Sequence, residues 1–241
     1  MPTISDPMQA LIRRIASQLP TGTRLQFATV TRAPRLQHRV SAGDAAKTLI
    51  ENARNERLAN GTPFWHALFL AGADTDDGVP QEILEAAQYH QYPDATRDLQ
   101  LAVGADTLER LGKLADGLPE NDVLMLTSLV TFPDGVRAHF PMLDFSLKSR
   151  LPGAQATVTR SIQALGVNGE LTSTGRSFHL FGLESVSESD WRDFMARALL
   201  LSPVTDERWI AHQLLAGYAS LRISSSDKGE APIPLGAVTA H

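Results

Sequence analysis

The sequence predicts an α/β (α+β) fold with mixed and antiparallel sheets flanked by helices, and three observations carry that reading. Helix-like and strand-like segments alternate along the chain. Two tight turns, Pro133-Asp134-Gly135 and Thr174-Gly175-Arg176, each separate a pair of β-rich runs. Such turns make hairpins, which rules out an all-parallel sheet. The 241 residues are 43% hydrophobic and 20% charged, an ordinary globular balance for a chain long enough to bury a sizeable core.

The elements follow in order. Ser5-Asp6-Pro7 starts a helix whose stripe is Met8, Leu11, Ile12, Ile15 and Leu19. Leu25 to Val30 alternates like a strand. Asp44 to Leu58 reads as a helix closed by Asn60-Gly61, and Phe64 to Leu70 as a buried strand. The acidic turn Asp74-Thr75-Asp76-Asp77-Gly78 leads to a helix from Pro80 to Ala87. Its carboxylates lack the further spaced ligands of a calcium loop and read as a solvated turn. Residues 96–116 read as one or two helices interrupted near Gly104. Val123 to Val130 and Val136 to Phe145 form the first hairpin. A helix over Gly153 to Leu165 precedes the second hairpin, Glu170–Ser173 with Ser177–Phe181. Ser187 caps a helix running to about Leu201. Asp206 to Leu215 is helical, Gly217 breaks it, and Tyr218 to Ser224 alternates as a strand. The tail beyond Gly229 reads as an edge strand or loop. A lobe boundary at Gly117-Leu118-Pro119 divides the chain into an N-terminal α/β lobe, 1–118, and a second lobe, 119–241.

The absence of cysteine excludes a disulfide framework, a cysteine nucleophile and a thiolate zinc site, and suits a reducing cytoplasm. The first residues lack the basic and apolar regions of a signal peptide, and no apolar run reaches the ~20 residues of a membrane span. The expectation is a cytoplasmic protein. The net charge of −5 is unevenly spread: +5 over residues 1–40, −9 over 41–132 and −1 over 133–241. Within the last third, residues 146–182 hold Lys148, Arg150, Arg160 and Arg176 against Glu170 alone. A local positive face can bind phosphate whatever the overall sign.

Three segments of the second half carry groups fit for chemistry. Phe140-Pro141-Met142-Leu143-Asp144-Phe145-Ser146 ends an apolar strand with a carboxylate. Ser173-Thr174-Gly175-Arg176-Ser177-Phe178-His179 is a small-residue turn feeding a strand with a histidine. Tyr218 to Lys228 is a strand bearing Arg222, followed by Ser224, Ser225, Ser226 and Lys228. Taken singly, each has a structural reading: a turn carboxylate, a core histidine, a sheet-surface arginine. No phosphate-binding glycine loop, His-Glu-x-x-His helix or Gly-x-Ser-x-Gly elbow is present.

In this order, the three segments resemble the motifs of archaeo-eukaryotic primases and primase-polymerases over residues ~120–236. Ser177-Phe178-His179 matches the family's Ser-x-His, and Arg222, Ser224 and Lys228 look like its last, basic motif. The resemblance implies an RRM-like palm in the second half. It also implies triphosphate or nucleic-acid contacts at Arg176, Ser177, His179, Arg222, Ser224 and Lys228, and a Mg²⁺ or Mn²⁺ site at Asp144. The family carries two acids one residue apart, whereas here Ser146 follows Asp144, and a hydroxyl is a poor substitute for a carboxylate as a magnesium ligand. Asp206 and His212 are the candidates for the third-acid position. Asp206 lies sixteen residues before Arg222, and His212 nearer the usual place, although histidine suits magnesium poorly.

These features imply a primase-like protein that binds a nucleoside triphosphate or nucleic acid, DNA or RNA, through a degenerate two-metal site. Such a protein would serve as a sensor or partner subunit in a mobile-element or defence system. Two alternatives remain open: an active template-dependent nucleotidyltransferase using Asp144 with Asp206 or Glu207, and a scaffold whose acidic middle third meets a basic protein partner.

Overall fold

The computed structural model describes residues 2–31, 36, 43–88, 96–226 and 229–240. The chain forms two compact units, one of Met1–Arg32 with Asp94–His241 and one of Ala33–Pro93. The division expected at residue 118 lies inside the first unit. The reason is pairing at long range: β1 (Arg24–Thr31) hydrogen-bonds along the length of β3 (Asp122–Thr131).

The smaller unit is helical. Its elements are α2 (Asp44–Asn60), α3 (Phe64–Ala73) and α4 (Gln81–Ala87). Leu49, Ile50, Ala53, Leu68 and Ile83 form its core. The strand expected over Phe64–Leu70 is therefore a helix. An unbroken apolar run has no period to distinguish the two states. Here the run continues to Gly72, where an added Cβ would collide with Val79, so α3 meets the following turn at a distance that only glycine allows.

The larger unit contains two antiparallel sheets. In the first, β2 (Thr96–Ala102) pairs with β1, and β1 with β3. The other edge of β3 is shared by β8 (Ser220–Arg222), opposite residues 125–127, and β4 (Arg137–His139), opposite residues 129–131. Residues 96–102, expected to be helical, are thus an edge strand. Leu99 and Leu101 pack against the core, while Arg97, Asp98 and Gln100 give the exposed edge its polar character. The helix expected there begins only at Thr107, as α5 (Thr107–Asp116). The amphipathic α1 (Asp6–Ser17) buries Met8, Leu11, Ile12 and Ile15 as its spacing foretold.

The second sheet has the order β5-β7-β6-β9: β5 (Met142–Asp144), β7 (Phe178–Gly182), β6 (Gly169–Ser173) and β9 (Ile233–Val238). The run 136–145, expected as one strand, serves both sheets. β4 ends where Phe140 N donates to Ser128 O, and Pro141 lacks the N–H needed to continue the ladder. β5 then pairs with β7 instead. Gly182 lets the backbones approach at this crossing, because a Cβ there would lie 2.6 Å from the Pro141 carbonyl oxygen. Helices α6 (Ala154–Leu165), α7 (Glu188–Leu199) and α8 (Glu207–Ala216) complete the unit. Among the described residues no helix is long and apolar enough to cross a membrane.

His139 lies buried where β4 meets α7. Its ring stacks on Trp191 at 4.6 Å, and its Nδ1 lies 3.1 Å from Ser128 Oγ. Burial pushes its pKa below the ordinary histidine value, aided by Arg137 and Arg192 and opposed by Glu188. The unfolded chain therefore takes up this proton first as pH falls. Above about pH 6.5 the ring is neutral in both states, and below it folding stability declines toward the depressed folded pKa. Thermal melts between pH 7 and pH 5 are expected to show a smaller loss for His139→Gln than for the wild type. Equal losses would remove His139 from the acid response.

Candidate nucleotide site

The second sheet places Asp144 by register. Leu143, Leu180 and Leu171 stand opposite one another on β5, β7 and β6 and are buried. Alternation then sends Asp144, His179 and Thr172 to the other face, again directly opposite one another. The row's face is itself largely covered, Thr172 and His179 being buried and Asp144 half-buried.

One more segment joins the row. Phe145 bridges Thr205 in antiparallel sense, Asp206 N donates to Asp144 O at 3.0 Å, and Ser146 N donates to Val204 O at 3.0 Å. This register sets Asp206 opposite Asp144 on the same face. Side chains so placed have Cβ atoms about 5 Å apart. With the bridged segment 204–206 beside β5, the order across this sheet is 204–206, β5, β7, β6, β9, with α6 between β5 and β6 and α7 between β7 and 204–206 in the chain. That is the βαββαβ arrangement of an RRM-like palm.

The row therefore reads Thr172, His179, Asp144, Asp206. His179 Nε2 stands 3.6 Å from Asp144 Oδ1, an ion pair whenever the ring is protonated. The His179 side chain is 9% exposed and that of Asp144 27%, so the carboxylate is the more accessible of the two to solvent. Asp206 also caps α8, its Oδ1 accepting from Trp209 N at 2.9 Å. Arg208, in the first turn of α8, was not singled out from the sequence. Burial lowers its pKa against the pull of the Asp206 and Glu207 carboxylates. Nothing in the spacing of Asp206-Glu207-Arg208 marks it, since only the fold brings this turn beside Asp144.

The remaining expected residues lie around the row. His212 sits on α8, six residues beyond Asp206 or about 9 Å along the helix, so Asp206 is the third-position candidate that adjoins Asp144. Ser177 closes the turn before β7, its N donating to Thr174 Oγ1 at 3.0 Å. Arg176 is exposed at the same turn. Ser224 is buried, its Oγ accepting from Leu124 N and donating to Ser225 O, so the fold itself uses that hydroxyl. Ser225 is tied to Thr3 by two backbone donations, Thr3 N to Ser225 Oγ at 2.8 Å and Ser225 N to Thr3 O at 2.7 Å. Lys228 lies outside the described residues.

Arg222 belongs to the first sheet, on β8, which lies against β5. Its Nη1 donates to Ser224 O at 2.6 Å and to Glu230 O at 2.7 Å. These charge-assisted bonds brace the loop that leads to β9. Arg222→Ala is expected to lower stability by about 2 kcal/mol and to weaken nucleotide binding more than Arg13→Ala, whose side chain is exposed on α1. Chemical denaturation and calorimetry of both variants check this. Equal effects would return Arg222 to the sheet surface.

Among the described residues, no group of three or more histidine, cysteine, aspartate or glutamate side chains could hold a metal ion. Asp144 and Asp206, opposite one another in the register, are of the residue type that a hard cation of the magnesium class uses, which binds through one or two carboxylates plus phosphate oxygens and water. Ser146, two residues beyond Asp144, offers no charge for a second ion.

No curated protein and no solved structure matches the chain. A family model does, over residues 105–235, more than half of the sequence and the whole of the polar row with β8. That model describes the AEP-like family, archaeo-eukaryotic primase 1D-like. Fold, row and match agree on a primase-like, nucleic-acid-related domain, and the chain belongs to the archaeo-eukaryotic primase 1D-like family.

Proposed function

We propose that the protein binds a nucleoside triphosphate at the Asp144–His179–Asp206 row, with one divalent cation, and that polymerase chemistry at this site is weak. The observation that carries the reading is the register that faces Asp144 with both His179 and Asp206 on one side of the sheet. Asp144 and Asp206 supply the hard oxygen ligands, and His179, fixed by its strand, meets phosphate oxygens as a donor. A Mg²⁺ or Mn²⁺ ion held there would neutralise triphosphate charge. Ser146 leaves the neighbouring position without the negative charge that a two-ion site requires. The convergence of these residues on one face favours a binder over a scaffold, where motif residues need not meet. A sensor or partner role in a mobile-element or defence system follows from the resemblance alone.

Titration calorimetry with ATP and GTP, with and without Mn²⁺, tests the reading. Binding is expected to strengthen about ten-fold or more with Mn²⁺, and Asp144→Ala to lose that gain, since a charge-assisted contact contributes roughly 1.5–3 kcal/mol. Failure of the wild type to bind either nucleotide in the presence of Mn²⁺ would sink it. The second reading, an active nucleotidyltransferase, draws on the same facing pair of Asp144 and Asp206. Primer extension by the isolated protein is expected to be weak or absent. Robust Mn²⁺-dependent extension, abolished by Asp144→Ala, would favour the enzyme.

A further inference from the structure

One helix of the smaller unit is apolar around its whole circumference. Across Phe64–Ala73, α3 holds no lysine, arginine, aspartate or glutamate. A helix of that composition is ordinarily enclosed on all sides. Here Ala67, Leu68 and Gly72 are buried, whereas Leu70 is 69% exposed, Ala73 is exposed and Phe69 is half-buried. Directly after the helix come Asp74, Asp76 and Asp77, all exposed. They stand at the negative end of the α3 dipole, where carboxylates weaken a helix. Among the described residues no base forms an ion pair with any of the three. Neither the dipole nor a counter-charge in the fold therefore accounts for them. The next helix, α4, repeats the combination, with Leu84 39% exposed between the exposed Glu82 and Glu85. Residues 43–88 hold eight acids against three bases, Lys47, Arg54 and Arg57, a net of −5.

We propose that the Leu70 side of α3, with the Asp74–Asp77 turn at its end, docks a cationic amphipathic helix of a protein partner. The apolar stripe of such a helix would cover Leu70 and the edge of Phe69, as helices in grooves do. Its lysines or arginines would meet the three carboxylates and relieve their conflict with the α3 dipole. The charge selects among occupants. A second copy of this chain would bring the same excess of acid to the contact, and nucleic acid or an anionic lipid surface would be repelled in the same way. The inference is independent of the nucleotide reading, because every group in it belongs to the smaller unit.

Fluorescence anisotropy of the full chain with a labelled peptide of about fourteen residues, leucine and lysine at helical spacing, tests this at two salt concentrations. A peptide of the same composition with the spacing scrambled separates docking from charge attraction alone, and sedimentation reports the oligomeric state. The variants are Leu70→Ser and the combined Asp74→Asn, Asp76→Asn and Asp77→Asn. Leu200→Ser, at a leucine 84% exposed on the larger unit, is the control. Thermal melts establish folding, and Leu70→Ala replaces Leu70→Ser should serine impair it. The helical peptide is expected to bind more tightly than the scrambled one, and Leu70→Ser to weaken it about ten-fold. The triple asparagine variant is expected to weaken it about five-fold or more at low salt and far less at high salt, where the charges are screened. The control is expected to match the wild type, and ATP binding by calorimetry to be the same in every variant. Equal binding of the two peptides overturns the proposal, as do variants that bind the helical peptide like the wild type. A wild type that binds neither peptide overturns it too. If that wild type forms a dimer that Leu70→Ser dissolves, the face belongs to a second copy instead.

Discussion

Replacing Asp206 by asparagine is expected to remove the Mn²⁺-dependent part of nucleotide binding, at least ten-fold, while moving the thermal midpoint by no more than about 2 °C. The residue has two separable tasks. Its Oδ1 caps α8 by accepting from Trp209 N, and asparagine caps about as well as aspartate. Its charge faces Asp144 across the 204–206 pairing, and an amide cannot replace that charge beside a divalent ion. Asp206→Ala should lose both tasks, adding a stability cost of about 1 kcal/mol from the missing cap. Calorimetry and thermal melts on the two variants separate them. Full Mn²⁺ enhancement in Asp206→Asn, with loss in Asp144→Asn, would leave Asp206 a cap alone.

Arg14→Ala is expected to lower stability by about 2–4 kcal/mol, or roughly 5–10 °C in thermal midpoint for a chain of this size. Arg14 lies in the last turn of α1, and its Nη2 meets Glu170 Oε2. The Glu170 side chain is 6% exposed, so removing the guanidinium leaves a carboxylate with neither water nor a counter-charge. The 43% exposure of Arg14 itself admits some solvent, which keeps the cost below that of a fully buried pair. Adding Glu170→Gln should recover much of the loss, because a neutral amide is far cheaper to bury than an ion. A shift below about 1 °C for Arg14→Ala would show that water reaches Glu170 without it.

Asp144, His179 and Asp206 are all candidates in the sequence, but local pattern places only the first two, for reasons of scale. Asp144 and His179 lie on strands whose alternation and turns are local, so their faces follow from neighbours within a few residues. Ser177-Phe178-His179 stands out for the same reason. Asp206 is different: it meets Asp144 through a short pairing across some sixty residues, and a cap followed by a helix is all that its own neighbourhood displays. Arg222 read as a phosphate ligand because its strand carries the right order of residues. Its bond to the Glu230 carbonyl depends on where that residue returns, which no local pattern encodes. The misread elements have equally physical causes. Phe64–Leu70 is apolar without a period, and residues 96–102 are an edge strand whose partner, β1, comes before the smaller unit. The split of 136–145 between two sheets turns on the single missing N–H of Pro141.

The pairing of Val30 with Thr96 has a consequence for how the chain folds. The whole smaller unit is spliced into what would otherwise be a hairpin between β1 and β2, so the two strands must find each other across about 60 residues. Closing such a loop instead of a four-residue one costs about 2.5 kcal/mol in chain entropy, at roughly 0.6 kcal/mol per doubling. If the inserted helices collapse first, they shorten the effective loop and lower that cost before the sheet assembles. A version with residues 33–93 replaced by a short turn would then refold faster, and the same splice point would tolerate a foreign domain whose own ends lie close together.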